Sequence, residues 1–115
     1  MGYRSDIALC LSKTAAEKLR NKRAAEKDEA KCYLCDHVDS HKIDASTGEE
    51  LLRWYNEKWY DDFPDVAFIN TFLTDLDDGE YLFIIVGENP CDIEIRGSFW
   101  SNSFNLSVET TIITH

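Results

Sequence analysis

"HVDSHKIDASTGEELLRWYNEKWY", His37 to Tyr60, decides how the chain folds. Two readings compete for it. Thr47 followed by Glu50 is a capping-box pattern, and a helix begun there would carry Leu51, Leu52, Tyr55 and Trp59 on one face. Alternatively, "STGE" turns the chain between two strands, and Trp54, Tyr55, Trp59 and Tyr60 are the large side chains that a pleated sheet accommodates. The aromatic density and the position of Gly48 favour the hairpin.

Upstream of the hairpin, "DIALCLS" (Asp6 to Ser12) is a nearly continuous apolar run, expected inside a sheet and not at its edge. "KTAAEKLRNKRAAEKDEAKCYL" (Lys13 to Leu34) is rich in helix formers, with Thr14 and Glu17 as a capping box and Ser12 as a further cap. Its apolar stripe begins with Ala15, Ala16 and Leu19, is broken by charge, and resumes at Ala30, Tyr33 and Leu34. That pattern predicts one long helix with packed ends and a solvated middle.

Downstream, Asp61 or Asp62 can cap a helix that has Pro64 in its first turn. Val66, Ile69, Phe72, Leu73 and Leu76 then recur at helical spacing until "DDG" (Asp77 to Gly79) ends it. "YLFIIVGE", "DIEIRGSF" and "LSVETTIIT" follow as three strands. The order strand, helix, strand, strand, helix, strand, strand, strand predicts a single α+β domain over residues 1–115. It would be a two-layer sandwich with two helices on one face of an antiparallel or mixed sheet: a ferredoxin-like βαββαβ core with C-terminal strands added. A chain of 115 residues suits one core. Such a fold leaves function open.

Charge narrows the functional classes. The net charge is −10, but residues 1 to 31 hold 8 Lys/Arg against 5 Asp/Glu, whereas residues 32 to 115 hold 4 against 17. An acidic body repels phosphate backbones, so direct nucleic-acid binding is disfavoured. The same field attracts basic partners, including proteins that themselves bind nucleic acid.

No apolar run approaches the roughly 18 to 20 residues of a membrane helix, and the apolar stretch in "MGYRSDIALCLSK" is short for a secretory leader. Asp6 stands where myristoylation of Gly2 needs Ser or Thr. The expected location is the cytosol, where Cys10, Cys32, Cys35 and Cys91 are better read as thiols or metal ligands than as disulfides.

Cys32, Cys35, His37 and His41 form a C-x2-C-x-H-x3-H cluster, the ligand types that tetrahedral zinc prefers, making zinc the one candidate cofactor. All four fall within ten residues, whereas usual Cys2His2 sites separate their pairs by a dozen or more. Cys10, Cys91 or His115 would be alternative ligands. The plainer reading makes the cysteines small residues at a helix end and the histidines solvated. For catalysis there is no G-x-S-x-G elbow and no glycine-rich phosphate loop, and no catalytic residue is assigned.

Aromatic residues are the other chemistry on offer. In "WYNEKWYDDFPDV" (Trp54 to Val66) rings alternate with acids and only Lys58 is positive, which disfavours a nucleobase stacking platform. Trp54, Trp59 and Phe63 are expected to be mainly structural. Tyr55, Lys58, Tyr60 and Trp100, with the acids Asp77, Asp78 and Glu88, are the candidate partner-binding residues, since Tyr and Trp anchor interfaces.

Three stretches, "MGYRSDIAL", "KWYDDFPDV" and "YLFIIVGE" followed by "DIEIRG", together resemble a family of small proteins encoded by tailed bacteriophages and prophages, many of which begin MGYRSDV. The resemblance implies a phage accessory role in the host cytoplasm and no particular reaction, and it supports a strand before "KWY". The Cys/His cluster stands outside the family pattern. The expected function is binding to a host or phage protein, with inhibition of nucleic-acid-binding or defence machinery through the acidic surface. A small enzyme or nucleotide-binding protein and a zinc-stabilised module are the alternatives.

Overall fold

A computed structural model describes residues 4–89 and 92–104. Its elements are β1 (Ser5–Leu11), α1 (Lys13–Ala25), α2 (Tyr33–Asp36), β2 (Ser40–Ile43), β3 (Glu50–Glu57), α3 (Pro64–Thr74), β4 (Tyr81–Gly87) and β5 (Ile93–Gly97). A 3-10 turn at Asp78–Glu80 leads into β4. All strand pairs are antiparallel, in the order β2-β3-β1-β4-β5. The two crossovers interleave: β1 and β2 flank β3, while β3 and β4 flank β1. The molecule is thus a mixed α+β fold. "LSVETTIIT" lies outside the described residues.

β1 is central because its residues are apolar on both faces. Ile7, Leu9 and Leu11 join Leu52, Trp54, Tyr81 and Phe83 beneath the helices, where Ala15, Ala16 and Leu19 of α1 meet Val66, Ile69, Phe72 and Leu73 of α3. Fully burying each large side chain contributes about 1.5–3 kcal/mol. Ala8 and Cys10 point the other way, into a second cluster with Leu51, Leu82, Ile84 and Val86 against which Ile93, Phe99 and Phe104 pack. The sheet is therefore dry on both faces near its centre.

The hairpin reading holds for β2 and β3, which pair antiparallel, but β3 ends at Glu57, so Trp59 and Tyr60 lie beyond the strand. Gly48 adopts φ +74°, its N–H donates to the Asp44 carbonyl, and Asp44 Oδ1 accepts from the Ser46 N–H and hydroxyl. Those bonds hold the Asp44 carboxyl below the usual carboxylate range.

The long helix does not form as a unit. α1 stops at Ala25, and Glu26 is extended. Residues 26–31 offer the core no apolar side chain larger than Ala30, and Asp28 Oδ1 accepts from the Ala30 N–H, a local bond that competes with helix. The break lets the chain return. Arg23 grips Asp36 through two 2.8 Å bonds, and Cys32 and Leu34 enter the interior.

Of the expected helix caps, one is used and the others are not. Ser12, and not Thr14, caps α1 by accepting from the Ala15 N–H at 3.2 Å. Neither Asp61 nor Asp62 caps α3; the N-cap is Phe63, which makes no side-chain cap bond, and Pro64 supplies the first turn. Pro64 lacks an N–H, so one of the four N–H groups left without an intrahelical partner at the start of α3 is absent.

Candidate acidic aromatic groove

β3 does not run straight to its end. Ser5 pairs with Glu57 but Ile7 pairs with Trp54, so β3 carries one extra residue at Tyr55–Asn56. Asn56 takes φ +57°, its N–H donates to Asp6 Oδ1 at 2.7 Å, and its carbonyl accepts from Arg4 Nη1 at 3.0 Å. Asn tolerates this left-handed backbone better than most residues. Bulges re-aim the chain. Here the bulge precedes the segment that sets Trp59 and Tyr60 beside the exposed part of the sheet.

Trp59 is half-buried, its ring centroid 5.8 Å from that of Trp54 and 5.9 Å from that of Phe83. Tyr60 meets Phe63 edge-on at 5.2 Å. Between this segment and the outer strands lies a groove of about 470 Å³ lined by Trp59, Tyr60, Asp61, Asp62, Phe83, Ile85, Glu94 and Arg96. Beside it, a recess of about 210 Å³ shares Trp59, Tyr60, Ile85 and Glu94 and adds Ser5, Gly87 and Asp92.

Strand register explains why Glu94 and Arg96 are here. Arg96 pairs with Phe83 and Glu94 with Ile85, and the period of two puts both on the helix-side face. The Arg96 guanidinium lies 5.5 Å from the Phe83 centroid, donates to Glu94 Oε2 at 2.6 Å and donates to Asn70 Oδ1 at 3.1 Å. Asn70 Nδ2 in turn donates to Asp61 Oδ1 at 3.3 Å. Arg96, the one cation among the described lining residues, is thus already engaged, and the rim carries Asp61, Asp62, Asp92 and Glu94.

Burial, with Asp39 and Asp65 close by, pushes the Glu57 carboxyl up. An apolar aromatic floor with a carboxylate rim can receive a Lys or Arg side chain, whose stem packs on the rings while its charge meets the acids. The described lining contains no His or Cys, so the groove offers neither of the usual nucleophile–base partners.

The candidate metal residues are not gathered. Cys32 is fully buried and Cys35 packs against the core. Burial pushes the Cys35 thiol up to about 11, with Cys32 and Asp36 adding to it. The His37 ring stacks on Tyr33 with Nδ1 2.9 Å from the Tyr33 carbonyl. His41 Nε2 lies 2.6 Å from Glu50 Oε1, and that buried carboxylate also accepts from Arg20. Among the described residues no three His, Cys, Asp or Glu side chains are grouped to hold a metal ion. Cys91 and His115 lie outside them.

The candidate partner-binding residues divide between opposite ends of β4. Tyr55, exposed Lys58 and half-buried Tyr60 lie towards the end where Glu88 accepts from the Arg4 N–H. Asp77 and Asp78 precede Tyr81 at the other, where Asp77 and Glu80 form a capping box and the Asp78 carbonyl accepts from Ser98. Trp100, half exposed, is two residues beyond Ser98. Seven residues of strand separate these ends by roughly 20 Å. Phe63, expected to be structural, is 37% exposed and meets Tyr60 edge-on.

Sequence reasoning missed Phe83, Glu94 and Arg96 as groove residues. The i, i+2 spacing of Glu94 and Arg96 in "DIEIRG" was the available clue, but their partner segment lies some 35 residues away. No family model matches the chain, and no curated protein or solved structure matches it either.

Proposed function

We propose that this chain is a small binding protein whose acidic aromatic groove takes a basic segment of a partner protein. The observation that carries the proposal is the groove itself: Trp59, Tyr60 and Phe83 supply rings, Asp61, Asp62, Asp92 and Glu94 supply charge, and Arg96 is tied to Glu94 and Asn70. Trp and Tyr are the residues that most often anchor interfaces, and complementary charge raises association rates.

The resemblance to phage and prophage proteins supports an accessory role in the host cytoplasm, with a host or phage protein as the partner. A protein that grips nucleic acid presents the basic surface that the −10 chain favours. No helix among the described residues is long and apolar enough to cross a membrane.

Affinity capture from host extract, run in parallel with the wild-type chain and the Asp61→Lys/Asp62→Lys variant, tests the proposal. The expected result is a basic protein retained by the wild type at low salt and lost by the variant. Recovery of the same proteins by both would overturn it.

A further inference from the structure

The helix layer has its own opening, remote in character from the acidic groove. α1 and α3 cover the same face of the sheet, but Ala25 and Ala67 present only methyl groups where larger side chains would close the gap. A groove of about 420 Å³ remains, also lined by Phe68, Lys22, Glu26 and Lys31. Phe68 is 5% exposed, so its ring forms an apolar base.

We propose that this groove is a binding site for a small amphiphilic anion, a carboxylate carrying an aliphatic chain. Its volume falls within the range of small-molecule sites, which combine apolar walls with a few placed polar groups. The charged groups here are Lys22, Lys31 and Glu26, a net-positive set. The Lys22 ammonium stands 5.3 Å from the Phe68 centroid and makes no ion pair among the described residues. A carboxylate entering the mouth therefore gains that ammonium without stripping it from a carboxylate.

Lys31 shows the same chemistry already satisfied, since its Nζ lies 3.4 Å from Glu26 Oε1 at the rim. The setting agrees with the choice of ligand. The groove draws Lys22, Ala25, Glu26 and Lys31 from the net-positive first 31 residues of an otherwise acidic chain. An amphiphilic cation of equal size meets two lysines here, and the acidic groove suits it better. An anion is repelled there and admitted here.

The intact chain, labelled for amide NMR, is titrated with sodium decanoate and separately with decyltrimethylammonium. Decanoate is expected to produce saturable shifts at the amides of Lys22, Ala67 and Phe68 that the cation does not produce. Lys22→Glu is expected to weaken decanoate binding about tenfold or more. Ala67→Leu is expected to abolish it by filling the space, and Ala25→Leu, at an exposed helix position, does the same if Ala67→Leu fails to fold. Absence of saturable shifts, equal shifts with both amphiphiles, or full binding by a folded Ala25→Leu variant would overturn the proposal. None of these residues lines the acidic groove, so the two sites succeed or fail separately.

Discussion

The indole N–H of Trp54 donates to the main-chain carbonyl of Leu34 at 2.9 Å, inside the core and across twenty positions of sequence. This bond ties β3 to the short α2 turn and explains why Trp54, at 0% exposure, occupies a buried site without an orphaned polar group. Trp54→Phe removes the donor and leaves a void. It should cost about 2–4 kcal/mol. In urea unfolding the midpoint falls with the slope unchanged, whereas Trp59→Phe, at the half-buried neighbour, costs about 1 kcal/mol or less. Equal losses from the two would refute the distinction.

Gly97 is held more tightly than Gly48 or Gly79. It adopts φ +81°, and a Cβ there would come to 2.2 Å from the Tyr81 carbonyl oxygen. Gly97→Ala should therefore cost at least about 2 kcal/mol from backbone strain and overlap together. Gly79 has nothing within 4 Å of a built Cβ, so Gly79→Ala should stay within about 0.5 kcal/mol of wild type. Thermal melts of the pair provide the comparison.

Stability should decline on the alkaline side. Burial pushes the Cys10 thiol up to about 12, with Glu49 adding, and the Cys35 thiol up to about 11; burial and then Asp78 also raise Tyr81. All three are neutral in their protonated forms, which the fold favours. Below the ordinary thiol value of 9.0 both folded and unfolded chains keep these protons, and this contribution is fully present. Above it the unfolded chain sheds protons that the native state retains, so stability falls as pH rises towards the folded values. Urea midpoints measured from about pH 7 to about pH 10.5 should drop beyond about pH 9, and Cys10→Ala should flatten the slope. Parallel slopes would exclude Cys10 as a source.

The acidic groove predicts a kinetic signature. Asp61→Lys/Asp62→Lys should lower the association rate of a Lys/Arg-rich peptide about tenfold at low salt, and the difference should shrink to about twofold near 0.5 M salt. Stopped-flow tryptophan fluorescence reads both, since Trp59 lines the groove. A deficit that does not change with salt would point to lost packing in place of lost attraction.

Much of the scaffold was legible because periodicity reports burial. The continuous run "DIALCL" marked a strand buried on both faces, and the spacing of Val66, Ile69, Phe72 and Leu73 marked the face of α3. The helix break between Ala25 and Tyr33 was less readable. Residues 26–31 have good helical propensity, and what stops them is the absence of anything to pack against, together with an Asp28 turn and the Arg23–Asp36 pair formed after the chain reverses. The Cys/His cluster is not gathered for the same reason: its spacing is local, while Cys32 goes inward and His41 turns to Glu50 across a strand pair.

The sequence by itself determined the hairpin at Gly48, the α+β class and the acidic sign of the body, because each follows from local pattern or composition. Tertiary structure alone decided which acids face which rings. Asp61 and Glu94 share a groove only because the Tyr55–Asn56 bulge and the β4–β5 register bring distant segments side by side. Asp78 and Glu88, close in sequence, are held apart by the length of the strand between them. Pattern fixes what each segment becomes; the register between segments fixes what its side chains meet.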